Sequence, residues 1–140
     1  MKNRQNAFVA LLALLNVKHT NDFSNEYFNE HPHKYNLFGL SKMLSDYGIE
    51  NAATRVDNKE KDIAEIETPF IAHFGGDFVV VHKIESDIVS FLWRGVKHIL
   101  PVSEFSSAWS GIILLAESSD RSIEPDYRVH KNMSGCRHSI

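Results

Sequence analysis

The sequence predicts an α+β domain, with helices gathered at the front and an antiparallel sheet after them. Three observations carry that prediction. Leu37, Leu40, Met43, Leu44 and Tyr47 recur at helical spacing. Phe78-Val79-Val80-Val81 is an unbroken run typical of a strand covered on both faces. Turn signals at Gly75-Gly76, Ser86-Asp87 and Arg94-Gly95 then cut the second half into pieces of strand length.

The elements follow in order. Residues 6–16 are apolar nearly all round, which suits a helix in the middle of a core. Residues 21–30 make a short amphipathic helix with Phe23, Tyr27 and Phe28 inward, and Pro32 ends it. Asn36 can cap the next helix and Gly48 can close it. Residues 50–56 read as an edge strand, and the charged stretch from Lys59 to Ile66 as a short helix or turn. Strands are expected at 69–73, 78–81, 88–93 and 96–100. Ser103 can cap a short helix carrying Phe105, Ala108 and Trp109; Gly111 breaks it, and Ile112 to Leu115 form a final strand. The sheet is therefore a meander of about four or five strands. From Glu117 onward no apolar pattern remains, so residues 1–117 form the domain and 118–140 a largely disordered tail or linker.

Composition narrows the function classes. The chain has 140 residues, 43% hydrophobic and 24% charged, which suits one soluble domain. A net charge of −3 gives no electrostatic case for nucleic acid. The single cysteine, Cys136, excludes an internal disulfide framework and zinc sites built on paired cysteines. The longest apolar run, Ala7 to Leu15, is too short to span a bilayer. Lys2 and Arg4 before it mimic a signal peptide, but no small-residue cleavage site follows, and a buried first helix is favoured.

Other constellations are weak. His31-Pro32-His33, with His19 within reach, lacks the third and fourth ligands of a zinc site, and no metal or cofactor is called for. His73 and His82 read as ordinary strand residues. Ser103, Ser106 and Ser110 lack a nucleophile-elbow pattern. Phe8, Tyr27, Phe38, Phe70, Phe78 and Trp109 are core by spacing, whereas Trp93, at a strand end, offers a flat apolar contact for a peptide.

Helices followed by a sheet is the layout of papain-like cysteine peptidases. Four segments resemble their bacteriocin-processing members, family thirty-nine, which cleave double-glycine leader peptides at the N-terminus of ABC exporters. These are residues 6–12, 39–49, 69–81 and 104–111, in register over roughly 5–116. The family's chemistry needs a thiolate at a helix N-terminus, a histidine, and a carboxylate that orients it. The resemblance places the nucleophile at Ala7, the histidine at Asp77 and the orienting aspartate at Trp93 or Arg94. Gln5 is a poor substitute for the oxyanion-hole glutamine. No triad position carries its chemistry, so the resemblance implies a degenerate peptidase whose groove, with Gln5, Asn6, Ala7, Asp77 and Trp93 as candidates, binds an unfolded polypeptide or leader peptide. It further implies a parent membrane protein, an exporter or a thiol-oxidising enzyme, with this domain on the bacterial cytoplasmic face. Two alternatives stand beside it: an active peptidase whose nucleophile has been replaced, and a structural or dimerisation module without ligand.

Overall fold

A computed structural model describes residues 6–31 and 36–132. Three helices lead: α1 (Ala7–Leu14), α2 (Asn21–Glu30) and α3 (Leu37–Asp46). The first strand, β1 (Glu50–Arg55), is followed by the short α4 (Lys59–Asp62) and a 3-10 turn at Ile63–Glu65. A hairpin series then runs through β2 (Phe70–Phe74), β3 (Asp77–Glu85), β4 (Ile88–Trp93) and β5 (Val96–Pro101), before α5 (Val102–Ala108) and β6 (Trp109–Glu117). All six strands form one antiparallel sheet in the order β1-β6-β2-β3-β4-β5. The α+β layout is as expected, with more strands than the four or five anticipated. Only β2 to β5 form a meander, because β6 returns to fill the place between β1 and β2.

The sheet has no solvent face along its centre. On one side Ile71, Val80 and Leu114 pack with Phe8, Val9, Leu11, Leu12, Leu40, Met43 and Leu44 of α1 and α3. On the other, Phe70, Ala72, Val79, Val81 and Ile113 pack with Ile63 and with Val102 and Phe105 of α5. Alternate residues of β3 feed two different cores, which is why its sequence is continuously apolar. The first helix is buried from Phe8 to Leu12 for the related reason that it lies against β2, β3 and β4 with α2 beside it, while Ala13 and Leu14 at its end are exposed. Asn6 caps it by accepting from the Val9 N–H at 2.8 Å, and Asn36 caps α3 through the Gly39 N–H at 2.7 Å.

Four local expectations need correction. The last strand begins at Trp109 rather than Ile112: Gly111, at φ 91°, lets the backbone bulge, so Trp109 still pairs with Phe74. Pro101, not Ser103, is the cap residue of α5, so the helix starts at Val102. Phe38 is not core. It is 74% exposed, since α3 turns Leu40, Met43 and Leu44 inward and leaves Phe38 on the opposite side.

The fourth concerns the expected tail. Residues 118–132 fold back over the helical layer. Ile123 N–H donates to Tyr47 O, Glu124 N–H to Lys18 O, and Ser122 Oγ to Gly48 O. Their polar composition hides this packing because the strap docks through hydrogen bonds rather than an apolar stripe. Cys136, Gln5 and His33 lie outside the described residues.

Candidate functional site

Two of the positions matched to the triad meet at one end of the sheet. Asp77 opens β3 and Trp93 closes β4, and the hairpin brings them together. Trp93 Nε1 donates to Asp77 Oδ2 at 3.0 Å, Arg94 Nε donates to the same oxygen at 3.0 Å, and the Phe78 N–H donates to Oδ1 at 2.8 Å. Burial pushes the Asp77 carboxyl up, but the Trp93, Phe78 and Arg94 donors and the Arg94 charge outweigh it. The group therefore titrates below the usual carboxylate range. The folded state thus holds it as an anion bound by three hydrogen bonds.

Ala7 is the first residue of α1, just beyond the Asn6 cap. Asn6 Nδ2 in turn donates to Asn25 Oδ1 of α2 at 3.1 Å. Ala7 is half-buried against the helical-side core, which also receives Phe78 and Leu92. Trp93 packs instead with the core on the other face. Its ring meets Phe74 edge-on at 5.4 Å and lies 5.7 Å from the His98 ring. The structure thus joins Asp77, Trp93 and Arg94 into one hydrogen-bonded unit, and Ala7 contributes only a methyl group at a helix start.

The other candidate histidines and serines divide. His73 Nδ1 lies 3.0 Å from Ser110 Oγ across the β2–β6 bulge, a pair that sequence spacing did not reveal. Ser110 Oγ also accepts from the Ile112 N–H and lies 3.3 Å from His73 O. These bonds tie the bulge, and no carboxylate orients the imidazole among the described residues. Ser106 Oγ and His82 Nε2 are buried without a partner there. Burial, then the Lys97 and Lys83 charges, hold the His82 imidazole below its ordinary range. Among the described residues no group of three or more His, Cys, Asp or Glu converges to hold a metal ion.

A second polar cluster went unseen in the sequence. Glu124 is 1% exposed. Its Oε1 accepts from the Thr20 N–H at 2.8 Å and from Ser24 Oγ at 2.7 Å, and Thr20 Oγ1 lies 3.0 Å from Oε2. His130 Nδ1 is 2.7 Å from Oε2, and its ring stacks on Phe23 at 3.9 Å. The carboxylate thereby satisfies the N-terminus of α2, whose Thr20 makes no side-chain cap of its own. Burial raises the Tyr47 hydroxyl, and the nearby Glu124 charge adds to it; the Ser24 hydrogen bond opposes both. No periodic signal marks Glu124 or His130, since each stands in a polar stretch.

Comparisons with known proteins place the fold in a family. The model of the Peptidase C39 family matches residues 2–121. The chain belongs to that family. Among solved structures it is similar to a double glycine motif protease from an AMS/PCAT transporter in complex with the leader peptide. That match has a TM-score of 0.68 at 17% identity, over 81% of each chain. It is also similar to the peptidase domain of Streptococcus ComA, a bifunctional ABC transporter of a quorum-sensing pathway. There the TM-score is 0.67 at 13% identity, over 81% of this chain and 88% of that one. A third is the N-terminal peptidase C39 like domain of a toxin secretion ATP-binding protein from Vibrio parahaemolyticus. Its TM-score is 0.61 at 15% identity, over 82% and 98%. No curated protein matches the chain. The C39 fold of this domain is thus that of peptidase domains of ABC transporters. Among its described residues no helix is long and apolar enough to cross a membrane.

Proposed function

We propose that this C39 domain docks a polypeptide without cleaving it, as the N-terminal part of a bacterial membrane exporter. The observation that carries the reading is the state of Asp77. At the position the resemblance gives to a histidine stands a carboxylate already engaged by Trp93 and Arg94. Ala7 supports it, because a methyl group at the start of α1 supplies no nucleophile. The docked chain lies across Asn6, Ala7, Asp77 and Trp93, where the half-buried indole gives an apolar plane and its N–H is already satisfied. A leader peptide is the first ligand to try, since one neighbour of this fold was crystallised with one. The exporter context, with the domain at the inner face of the membrane, follows the same neighbours in preference to a thiol-oxidising parent.

The test is Ala7→Cys incubated with double-glycine leader peptides. The expected result is binding, read as backbone amide shifts around Ala7, Asp77 and Trp93, with no cleaved product by mass spectrometry. Robust turnover would sink the proposal and leave an active peptidase whose nucleophile had been replaced. Absence of shifts with any leader or unfolded polypeptide would leave a structural module.

A further inference from the structure

The sheet ends in a free edge at β1, which pairs only with β6 among the described residues. An open groove of about 570 Å3 runs beside that edge, away from Asp77 and Trp93. Its floor includes Ile113 and Leu115 of β6, on the face of the sheet that carries the α5 core. Its rim carries Glu50, Glu65, Glu67 and Glu117, all four exposed. Glu50 and Glu117 stand opposite each other in the β1–β6 register, while Glu65 and Glu67 form the facing wall just before β2. None of the four forms a salt bridge among the described residues.

Three properties select the same occupant. A free strand edge presents backbone donors and acceptors to an extended chain. An apolar floor takes side chains that recur every second residue. A rim of four carboxylates with no cation favours a positively charged partner and repels an acidic one. We propose that β1 is a docking edge for an extended, basic polypeptide segment. That segment adds to the sheet as a seventh strand whose groove-facing residues, every second one, are apolar at its centre and lysine or arginine at its ends, where they meet the glutamates on the same face. This surface is separate from the Asp77–Trp93 end, and it stands whether or not the reading of that end holds.

The experiment titrates the whole chain with a short peptide carrying lysine, valine, valine and lysine at alternate positions with serine between them, so that all four share one face, followed by backbone amide shifts and by affinity at low and physiological salt. Three controls run beside it: the same peptide with glutamate for lysine, the same peptide N-methylated on alternate residues, and the double variant Glu65→Lys with Glu67→Lys. The expected result is shifts confined to residues 50–56, 65–67 and 112–117, with affinity falling as salt rises. Affinity falls roughly tenfold in the double variant, by the size of two reversed rim charges. The glutamate and N-methylated peptides bind more weakly still. Equal binding of the glutamate peptide overturns the charge assignment, and equal binding of the N-methylated peptide overturns strand addition. Shifts only around Asp77 and Trp93 move the ligand to the other end of the sheet and leave β1 without a role. Both lysine substitutions lie on exposed positions outside either core, so a folding failure is not expected, and the amide spectrum of the free variant checks this directly.

Discussion

At the scale of single residues, Asp77 shows how one side chain changes the meaning of a site. Its carboxylate gathers an indole N–H, a backbone N–H and a guanidinium at the tip of the β3–β4 ladder. These donors stabilise the ionised form, so the folded value lies below the ordinary 3.8. A depressed carboxylate contributes stability that is complete above its unfolded value and is lost as pH falls through the folded one. Asp77→Asn should therefore cost about 1 kcal/mol at neutral pH, a figure already discounted because Arg94 is largely exposed. The difference from the parent protein should shrink when denaturation is repeated below pH 3.8. A gap unchanged by acid would mean that Asp77 acts through packing and not through charge.

Among the elements, the strap of residues 118–132 behaves least as composition suggests. It is clasped by one buried carboxylate that serves as an external cap for α2, reaching Thr20 across a sequence separation of 104 residues. Gly48 accommodates the strap's backbone. A Cβ there would stand 2.8 Å from Arg121 O, at a φ of 73° that itself favours glycine. Glu124→Ala strands the Thr20 and Ser24 donors in a buried place, and we expect a loss of about 3 kcal/mol. Hydrogen exchange should show the amides of Ser122, Ile123 and Glu124, which donate within the strap or to Ser119, Tyr47 and Lys18, losing protection first, while β2 and β3 keep theirs. Uniform loss of protection across the sheet would show instead that the strap is integral to the core. Phe38 belongs to the same scale, since helical spacing alone placed it in the core. A three-residue or four-residue period identifies a stripe, but which neighbours the stripe meets is set by the packing of α3 on β1 and β6.

For the molecule as a whole, one sheet separates two cores, and each depends on the other through β2, β3 and β6. Phe8 lies in the helical core and Phe91 in the α5 core, and both are essentially unexposed. Truncating either to alanine should cost about 4 kcal/mol. Because the strands are shared, unfolding should remain one transition in each variant, with far-ultraviolet dichroism and tryptophan fluorescence coinciding. Separate transitions would show that the helical layer and the α5 layer unfold independently.

The sequence by itself determined the order of elements, the doubly covered β3 and the edge position of β1, and its matched segments carried the resemblance to the family. The elements rest on periodicity and turn residues, which are local quantities of the chain. The resemblance also pointed to Asp77 and Trp93 as the positions matching the family's histidine and aspartate. Only the tertiary structure showed that the two hydrogen-bond each other, that β6 inserts between β1 and β2, and that Glu124 and His130 hold a polar strap on the helices. It alone revealed the acidic groove beside β1, whose glutamates are scattered from Glu50 to Glu117. Each of those features joins residues far apart in the chain through hydrogen bonds or charge, and polar partners carry no period by which a sequence can announce them.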